Sequence, residues 1–223
     1  MPENPAPIQI LGISGSPHHG ATEACVQQAL AAAAAVEGVQ TTYLSLADYH
    51  IEPCNHCDAC RHYYDRKGQA AYYCNKRDDF LPLLQSFYLA DGYIIGVPAY
   101  DYNLPALFKD FIDRFNCVFP LGRQSRPYAV GGAIALCETR HGGQELVLDA
   151  IMDFYAVNQI LLYAGGAGRG AAVWADDRHP EELKNDQIGL EQVHIVGQAV
   201  AKAARMGVRG YGLRKEAETV RIG

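Results

Sequence analysis

The sequence has no long apolar run and no excess of positive charge. Its 223 residues contain no stretch that approaches roughly 18 uninterrupted apolar positions, which a membrane-spanning helix requires. The formal net charge is -6, whereas nucleic-acid binding requires a basic face. The opening segment MPENPAPIQILGISG lacks the basic start and the apolar run of a signal peptide. The composition therefore predicts a cytoplasmic protein that binds neither membranes nor nucleic acid.

Two fingerprints of nucleotide-binding proteins are also missing. The loop after the first predicted strand lacks the Gly-Lys-Ser/Thr of nucleoside triphosphatases and the Gly-x-Gly-x-x-Gly of dinucleotide-binding folds. A second glycine cluster, AGGAGRGAA at 164–172, superficially resembles a dinucleotide turn. The sequence that follows it, AVWADDRHPEEL, predicts a loop, although a dinucleotide-binding unit has a helix at that place. We therefore expect neither γ-phosphate transfer nor a dinucleotide site in this cluster.

Short apolar segments alternate with helical patterns along the chain. Continuous apolar runs typical of buried strands lie at 8–14, 41–46, 92–98, 128–137 and 159–165. Segments with helical spacing lie at 25–35, 78–90, 104–115, 144–156 and 190–205. This alternation predicts an α/β domain, a doubly wound parallel sheet of five strands with helices on both faces. We place the domain at 1–205, with an irregular cysteine-rich insertion at 50–78 and a C-terminal tail at 206–223.

The loop after the first predicted strand, GISGSPHHGAT at 12–22, has the composition of a phosphate site. Glycine and serine let backbone amides point into a common space, and the N-terminus of the next helix adds partial positive charge. Ser14, Ser16 and Thr22 can each donate a hydroxyl. An ordinary strand-to-helix turn with a Ser or Thr cap is the alternative interpretation. We favour phosphate binding.

Two further loops follow the third and fourth predicted strands. The first offers Tyr100, Tyr102 and Asn103 for stacking and amide contacts with a flat ring. The second brings Gly142 and Gly143, where the missing side chains allow close approach of the backbone. In a doubly wound sheet, ligands bind beyond the carboxyl ends of the strands, at the point where the strand order reverses. The three loops together therefore predict a site for a phosphorylated ring system.

Three cysteines lie two residues apart, at Cys54, Cys57 and Cys60, and a fourth follows at Cys74. Disulfides are rare in the cytoplasm, so this spacing favours a metal or a redox role. Four thiolates suit an iron–sulfur cluster or tetrahedral zinc, and three in one run favour the cluster. Cysteines without metal, as core or redox thiols, are the third possibility. All three interpretations remain open at this point.

The charges near the cysteines support an anionic centre. Four thiolates on an oxidised cubane cluster leave an excess of about two negative charges, which nearby cations stabilise. Five cations lie in or beside the insertion, namely Arg61, Arg66, Lys67, Lys76 and Arg77. Four acids partly offset them, namely Asp58, Asp65, Asp78 and Asp79. The other cysteines, Cys25, Cys117 and Cys137, lie in apolar or helical surroundings and are interpreted as core residues.

Four motifs occur in an order that one known family shows. They are GSP-x-x-G-x-T at 15–22, PC-x-x-C-x-x-C with a later C-x-x-x-DD at 53–79, P-x-Y with K-x-F-I-D-R at 98–114, and GGQE at 142–145. Over roughly residues 8–205 the chain resembles the NADPH-dependent FMN reductase family. Its cysteine run resembles the iron–sulfur flavoprotein branch of that family. The resemblance implies a flavodoxin-like sheet with strand order 2-1-3-4-5.

The resemblance also implies FMN bound non-covalently at the three loops. The phosphate loop would contribute Ser14, Ser16, Pro17, Ala21 and Thr22; the isoalloxazine would be lined by Pro98, Ala99, Tyr100 and Asn103; and its pyrimidine end would be closed by Thr139, Arg140, Gly142 and Gly143. In the iron–sulfur branch, compact cysteines hold a [4Fe-4S] cluster, and the subunits assemble as homodimers or homotetramers. The ligands expected here are therefore Cys54, Cys57, Cys60 and Cys74.

The chain departs from the family pattern at two places. His18 stands where the family often has arginine, so the phosphate would depend more on amides and hydroxyls. The gap between Cys60 and Cys74 is wider than is usual in the iron–sulfur branch. A flexible loop closes over extra residues at little entropic cost, so Cys74 stays the expected fourth ligand.

Three hypotheses about function follow. The first is an FMN-dependent oxidoreductase that passes electrons between FMN and a [4Fe-4S] cluster; its chemistry lies on the flavin, so no catalytic side chain is assigned. The second is an electron carrier without a substrate of its own, which exchanges electrons with ferredoxin-like partners. The third is an NAD(P)H-dependent FMN or quinone reductase without a cluster. No nicotinamide fingerprint is present, so NAD(P)H is one possible donor.

Overall fold

A computed structural model describes residues 6–67, 71–121, 129–163, 168–210 and 221–222. The strands are β1 (Ile8–Ser14), β2 (Val39–Ser45), β3 (Ala71–Tyr72), β4 (Gly92–Pro98), β5 (Val130–Cys137), β6 (Leu161–Leu162), β7 (Ala171–Trp174) and β8 (Arg221–Ile222). The α-helices are α1 (Ala21–Ala34), α2 (Ala59–Lys67), α3 (Phe80–Tyr88), α4 (Ala106–Asp113), α5 (Gln144–Val157) and α6 (Gln187–Arg205). Shorter helical segments are Leu46–Asp48, Arg114–Leu121, Pro180–Asn185 and Met206–Gly210. Within these described ranges, no helix has the length and apolar character needed to cross a membrane.

The main sheet has six strands, and all of its pairings are parallel. Its order is β2-β1-β4-β5, and both β6 and β7 pair with β5. β6 pairs with the start of β5, at Val130 and Gly131, and β7 pairs with its end, from Ile134 to Cys137. The two short strands therefore share the fifth position. This arrangement confirms the flavodoxin-like order 2-1-3-4-5, with the last position divided.

Helices cover both faces of the sheet. On β1, Ile8 and Ile10 pack in a buried cluster with residues of α1 and α6. Leu11 and Ile13 pack in a second cluster, with residues of α3, α4 and α5. Successive side chains of a strand point to opposite faces, so a strand covered on both sides is apolar at nearly every position. This explains the continuous apolar run in the sequence and confirms the α/β class.

The cysteine-rich insertion at 50–78 is more regular than the sequence predicts. It contains α2 and the short strand β3, which pairs in parallel with β8. The residues of α2, ACRHYYDRK, carry no apolar stripe, so hydrophobic spacing could not reveal this helix. Cys60 consequently lies in the first turn of a helix. The pairing with β8 brings residues 221–222 of the predicted tail onto the insertion.

The prediction of a loop after the second glycine cluster is wrong at both ends of the segment 172–183 and holds for 175–179. β7 begins at Ala171, and a 3-10 helix follows at Pro180–Asn185. The four residues of β7 form too short an apolar run for sequence patterns to separate strand from loop. Residues 164–167 of the cluster lie outside the described part of the chain, as does residue 128 at the start of the fourth predicted strand.

Candidate functional site

A cavity of about 490 Å³ lies at the carboxyl ends of the central strands. His18 of the first loop lines it, together with 98–102 after β4, 136–139 and Gly142 after β5, and 176–178 after β7. Small-molecule sites have volumes of roughly 300–1,000 Å³. The first three segments are those that the sequence predicted. Sequence reasoning missed the fourth, because its pattern indicated an ordinary loop.

The loop after β4 is a tight two-residue turn. The backbone amide of Tyr100 donates to the carbonyl of Asn103 at 2.9 Å, and the amide of Asn103 donates back at 2.9 Å. Between them, Asp101 and Tyr102 have φ values of 48° and 65°, as in hairpin turns with two left-handed central residues. Burial raises the pKa of Tyr100, which lines the cavity. The side chain of Asn103 instead accepts a hydrogen bond from the amide of Leu104 at 2.8 Å.

The loop after β5 is held by Gln144, which is buried at the start of α5. Its Oε1 accepts a hydrogen bond from the amide of Gly142 at 3.0 Å, and its Nε2 donates to the carbonyl of Thr139 at 2.7 Å. Gly143 has a φ of 101°, and a Cβ added there would lie 2.6 Å from the Cα of Tyr102. The second and third loops therefore meet at Gly143. Gln144 belongs to the GGQE motif, but the sequence does not show that its side chain holds this loop.

Asp177 occupies the N-terminus of α1. Its Oδ1 accepts a hydrogen bond from the amide of Thr22 at 2.8 Å, and its backbone carbonyl accepts one from the amide of Ala21 at 2.7 Å. Its Oδ2 accepts a hydrogen bond from the hydroxyl of Ser16. A negative charge is favourable here, because the helix N-terminus carries partial positive charge. The carboxylate thus takes donors that the sequence assigns to a phosphate.

Two buried hydroxyls of the first loop, those of Ser14 and Thr22, have no hydrogen-bond partner among the described residues. Thr22 is fully buried, and its Oγ1 makes no hydrogen bond to any described residue. A buried hydroxyl without a partner is costly, and a ligand oxygen at this loop would satisfy it. Ser14 lies near Tyr43 and Ser45, whose hydroxyls are likewise buried without a partner among the described residues. Burial raises the pKa of Tyr43 to about 12, and the hydroxyls of Ser45 and Ser14 lower it in part.

Some of the predicted flavin contacts line the cavity and the others do not. Five of them line the cavity, namely Pro98, Ala99, Tyr100, Thr139 and Gly142. Pro17 is exposed, and Arg140 stacks on Trp174, with its guanidinium carbon 4.3 Å from the ring centre. That cation–π contact directs Arg140 towards the end of β7. Cys137, interpreted from the sequence as a core residue, also lines the cavity.

The four cysteines of the predicted metal site line a second cavity, of about 70 Å³. They are Cys54, Cys57, Cys60 and Cys74. Cys117 lines the same cavity, and burial together with the neighbouring thiols raises its pKa. The sequence predicts Cys117 to be an ordinary core residue, because its neighbours are apolar. Its place beside the other thiols depends on the path of the chain after α4, which no local pattern reveals.

These thiols line one cavity, but their sulfurs are not arranged as a preformed metal site. Within the described residues, no group of three or more His, Cys, Asp or Glu side chains stands ready to hold a metal ion. Cys57 Sγ lies 3.5 Å from Oδ1 of Asn75, a weak contact. On either side of it, His56 and Asp58 have left-handed φ values of 52° and 57°. Such backbone persists where the surroundings enforce it, and it is common at functional sites.

Cations and carboxylates both lie around the thiols. Three cations, Arg61, Lys76 and Arg114, line the cavity, and the last two are paired with the carboxylates of Glu52 and Asp78. The fit to a cluster rests on the thiols themselves, because iron–sulfur clusters are held by cysteine sulfurs. The donor set therefore fits a cluster chemically. The side chains of Arg66 and Lys67 lie outside the described part of the chain.

Known proteins are similar to this chain in sequence and in fold. The pattern of the NADPH-dependent FMN reductase family matches residues 8–169. An iron–sulfur flavoprotein of Methanocaldococcus jannaschii is 34% identical over 208 residues, 89% of this chain and 98% of that protein. One from Archaeoglobus fulgidus is 32% identical over 187 residues, 82% and 91% of the two chains. The crystal structure of RosB with bound 8-demethyl-8-formylriboflavin-5'-phosphate has a TM-score of 0.66 at 14% identity, over 97% of this chain and 91% of that chain. The chain therefore belongs to the NADPH-dependent FMN reductase family and, within it, to the iron–sulfur flavoproteins.

Proposed function

We propose that this FMN-dependent oxidoreductase passes electrons between FMN and a [4Fe-4S] cluster. FMN would occupy the cavity of about 490 Å³, and Cys54, Cys57, Cys60 and Cys74 would hold the cluster. The observation that carries this proposal is that all four thiols line one cavity together with three cations. When bound, FMN supplies both two-electron and one-electron chemistry, whereas a cluster exchanges one electron at a time.

The chain links the two cavities by a short path. The loop after β4 lines the flavin cavity and leads into α4, and Arg114 and Cys117 beyond α4 line the cysteine cavity. α4 has 8 residues. A helix of that length spans about 12 Å at 1.5 Å per residue. This connection supports electron passage between two centres held by one chain.

The protein's own residues bind and orient the cofactor, and the chemistry stays on the flavin. The buried Oγ1 of Thr22 is available to a phosphate oxygen, and Tyr100 offers a ring face in the cavity. Gln144 fixes the carbonyl of Thr139 and the amide of Gly142 beside the ring site. These contacts hold the third loop in one conformation before the cofactor binds, which lowers the entropic cost of binding.

The family name supports NAD(P)H as the electron donor. Electron acceptors would be small molecules or redox proteins, including ferredoxin-like partners. Assembly as a homodimer or homotetramer and a cytoplasmic location remain predictions from the sequence.

A second candidate is an NAD(P)H-dependent FMN or quinone reductase without a cluster. One observation favours it, since no metal-binding group of three or more side chains stands preformed in the described ranges. The cysteines would then be structural, or redox-active thiols. An electron carrier without a substrate of its own is distinguished from both by slow turnover with NAD(P)H.

Anaerobic purification followed by iron, acid-labile sulfide and visible spectroscopy tests the proposal. We expect flavin and about four irons and four sulfides per chain, since one [4Fe-4S] cluster contains four of each. Flavin without iron or sulfide would contradict the cluster and support the cluster-free reductase. Protein that binds no flavin on addition of FMN would contradict the whole assignment.

Asp177→Asn is expected to tighten FMN binding by about tenfold. The carboxylate competes with a phosphate for the Ser16 hydroxyl and the Thr22 amide. Removing the negative charge of Asp177 beside a phosphate is expected to strengthen binding by on the order of 1–2 kcal/mol. Fluorescence titration of the apoprotein measures the affinity, and riboflavin, which lacks the phosphate, is the matched ligand. Equal changes for FMN and riboflavin would show that Asp177 only shapes the loop.

A further inference from the structure

We infer that Arg114 is a positioning residue that holds Cys74 in the cysteine cavity and raises the reduction potential of a cluster bound there. The inference rests on the proposed function, because it concerns the same cavity. Arg114 directly follows α4 and ends the K-x-F-I-D-R motif.

Arg114 has 1% of its surface exposed, yet it uses most of its donors. Nη1 donates to the carbonyl of Glu52 at 2.8 Å and to the carboxylate of Asp78. Nη2 donates to the same carboxylate at 3.0 Å and to Cys74 Sγ at 3.3 Å. Its guanidinium carbon also lies 4.8 Å from the centre of the Phe80 ring. A single side chain thus joins a sulfur, a carboxylate and the backbone.

These contacts close the cysteine insertion at both ends. Glu52 precedes the first cysteine, and Asp78 follows the last, so Arg114 ties both flanks of the insertion to the end of α4. The sequence alone does not show how Cys74 is kept near the other three cysteines, because a wide gap separates it from Cys60. Arg114 provides this link, because its contacts hold Cys74 and Asp78, which follow the gap, beside the cavity. Cys74 is thereby kept near the other three thiols.

The hydrogen bond to sulfur has an electrostatic consequence. A guanidinium is charged at every physiological pH, and the sulfur of Cys74 is its acceptor. An N–H donor beside a ligand sulfur stabilises the extra negative charge of a reduced cluster, and such bonds are among the factors that set cluster potentials. The Nε of Arg114 is also buried without a partner among the described residues, so one donor remains for a further acceptor.

Lys76 provides the matched comparison. It lines the same cavity and carries the same charge as Arg114. Its Nζ pairs with the carboxylate of Glu52 at 2.8 Å, and no hydrogen bond joins it to a sulfur in the described structure. Replacing Lys76 therefore removes a positive charge near the thiols and leaves the contact between Arg114 and Cys74 in place. A difference between the two variants therefore reports the contacts of Arg114 with Cys74 and Asp78, beyond the loss of one positive charge.

The test compares Arg114→Gln, Arg114→Lys and Lys76→Met with the wild-type holoprotein, all purified anaerobically. Redox titration followed by electron paramagnetic resonance measures the midpoint potential of the cluster. In Arg114→Gln we expect the ratio of reduced to oxidised cluster at a fixed potential to fall about tenfold, a shift of about 59 mV for one electron. Arg114→Lys, which keeps the charge without the planar fork, should show the same sign with a smaller shift. Lys76→Met should shift the potential by less than half as much as Arg114→Gln.

Iron retention provides the second readout. Both Arg114 variants should lose iron to a chelator faster than the wild type, because Cys74 is no longer held. Wild-type potential and wild-type retention in the Arg114 variants would overturn the inference while the proposed function stands. Wild-type protein without iron would overturn both. If Arg114→Gln fails to fold, Arg114→Lys decides, and an unchanged potential there counts against the inference.

Discussion

Replacing Cys54 by serine is expected to remove the iron from the protein and to leave the flavin bound. Iron–sulfur clusters select soft thiolate ligands, and a serine hydroxyl is a poor substitute. Cys54 lines the cavity of about 70 Å³, and it has no part in the wall of the flavin cavity. We expect iron and acid-labile sulfide to fall at least about tenfold, since one lost ligand destabilises the whole centre. The ratio of flavin to protein should stay at the wild-type value.

Cys25→Ala is the matched control. Cys25 is buried in α1, outside both cavities, and burial raises its pKa to about 12, so it stays a neutral thiol. This variant should keep wild-type iron, sulfide and flavin, apart from a small loss of stability. Iron retained at the wild-type level in Cys54→Ser would show that Cys54 is not a ligand. Loss of flavin from the same variant would show that the cysteine insertion also supports the flavin site.

The fifth thiol in the cavity makes the identity of the fourth ligand testable. Cys74 accepts a hydrogen bond from Arg114 and lies in the insertion, whereas Cys117 lies beyond α4 and is buried. We expect Cys74→Ser to lose iron and Cys117→Ser to retain it. The opposite result would assign the fourth position to Cys117. Iron retained in both single variants, and lost only in the double variant, would show that the two thiols replace each other.

Gly143→Val is expected to weaken FMN binding by at least about tenfold. A left-handed residue other than glycine costs about 1–3 kcal/mol, and each 1.4 kcal/mol is tenfold in affinity. Gly143 has a φ of 101°, and its added Cβ would lie 2.6 Å from the Cα of Tyr102. The valine side chain would therefore push the second and third loops apart at the cavity, and its left-handed backbone would be strained. Fluorescence titration of the apoprotein with FMN measures the change.

Gly168→Val separates the effect of the contact between the two loops from the effect of backbone strain. Gly168 also has a left-handed φ, of 69°, and an added Cβ there would meet no described atom within 4 Å. It does not line the cavity. Both variants should melt at lower temperature than the wild type, and Gly143→Val alone should lose affinity for FMN. Similar affinities in the two variants would contradict the contact between the loops as a requirement for binding.

The central sheet could be predicted because its strands are buried on both faces. β1, β4 and β5 are apolar at nearly every position, and such runs stand out in a sequence. β7 has 4 residues, half of them buried, and offered no comparable signal. α2 has no apolar stripe, and none of its described side chains is fully buried. The sequence therefore revealed the long buried elements and missed the short strand β7 and the polar helix α2.

The same limit applies to the two sites. Glycines and hydroxyls after β1, and glycines after β5, are local features, and strand order brings them to one edge of the sheet. The partners of these loops are distant in sequence. Asp177 lies 155 residues from Thr22, and Arg114 lies 40 residues from Cys74. No local pattern reports a hydrogen bond across such separations, so Asp177, Arg114 and Cys117 could not be assigned from the sequence.

The sequence by itself determined the α/β class, the three loops at the strand ends and the four closely spaced cysteines. Each of these follows from the spacing of apolar residues, glycines and cysteines along the chain. Only the tertiary structure decided which groups surround them: the carboxylate on the phosphate loop, the guanidinium on a cysteine sulfur and a fifth thiol in the cavity. Folding brings distant residues within a few ångströms of each other, and hydrogen bonds act only over such distances.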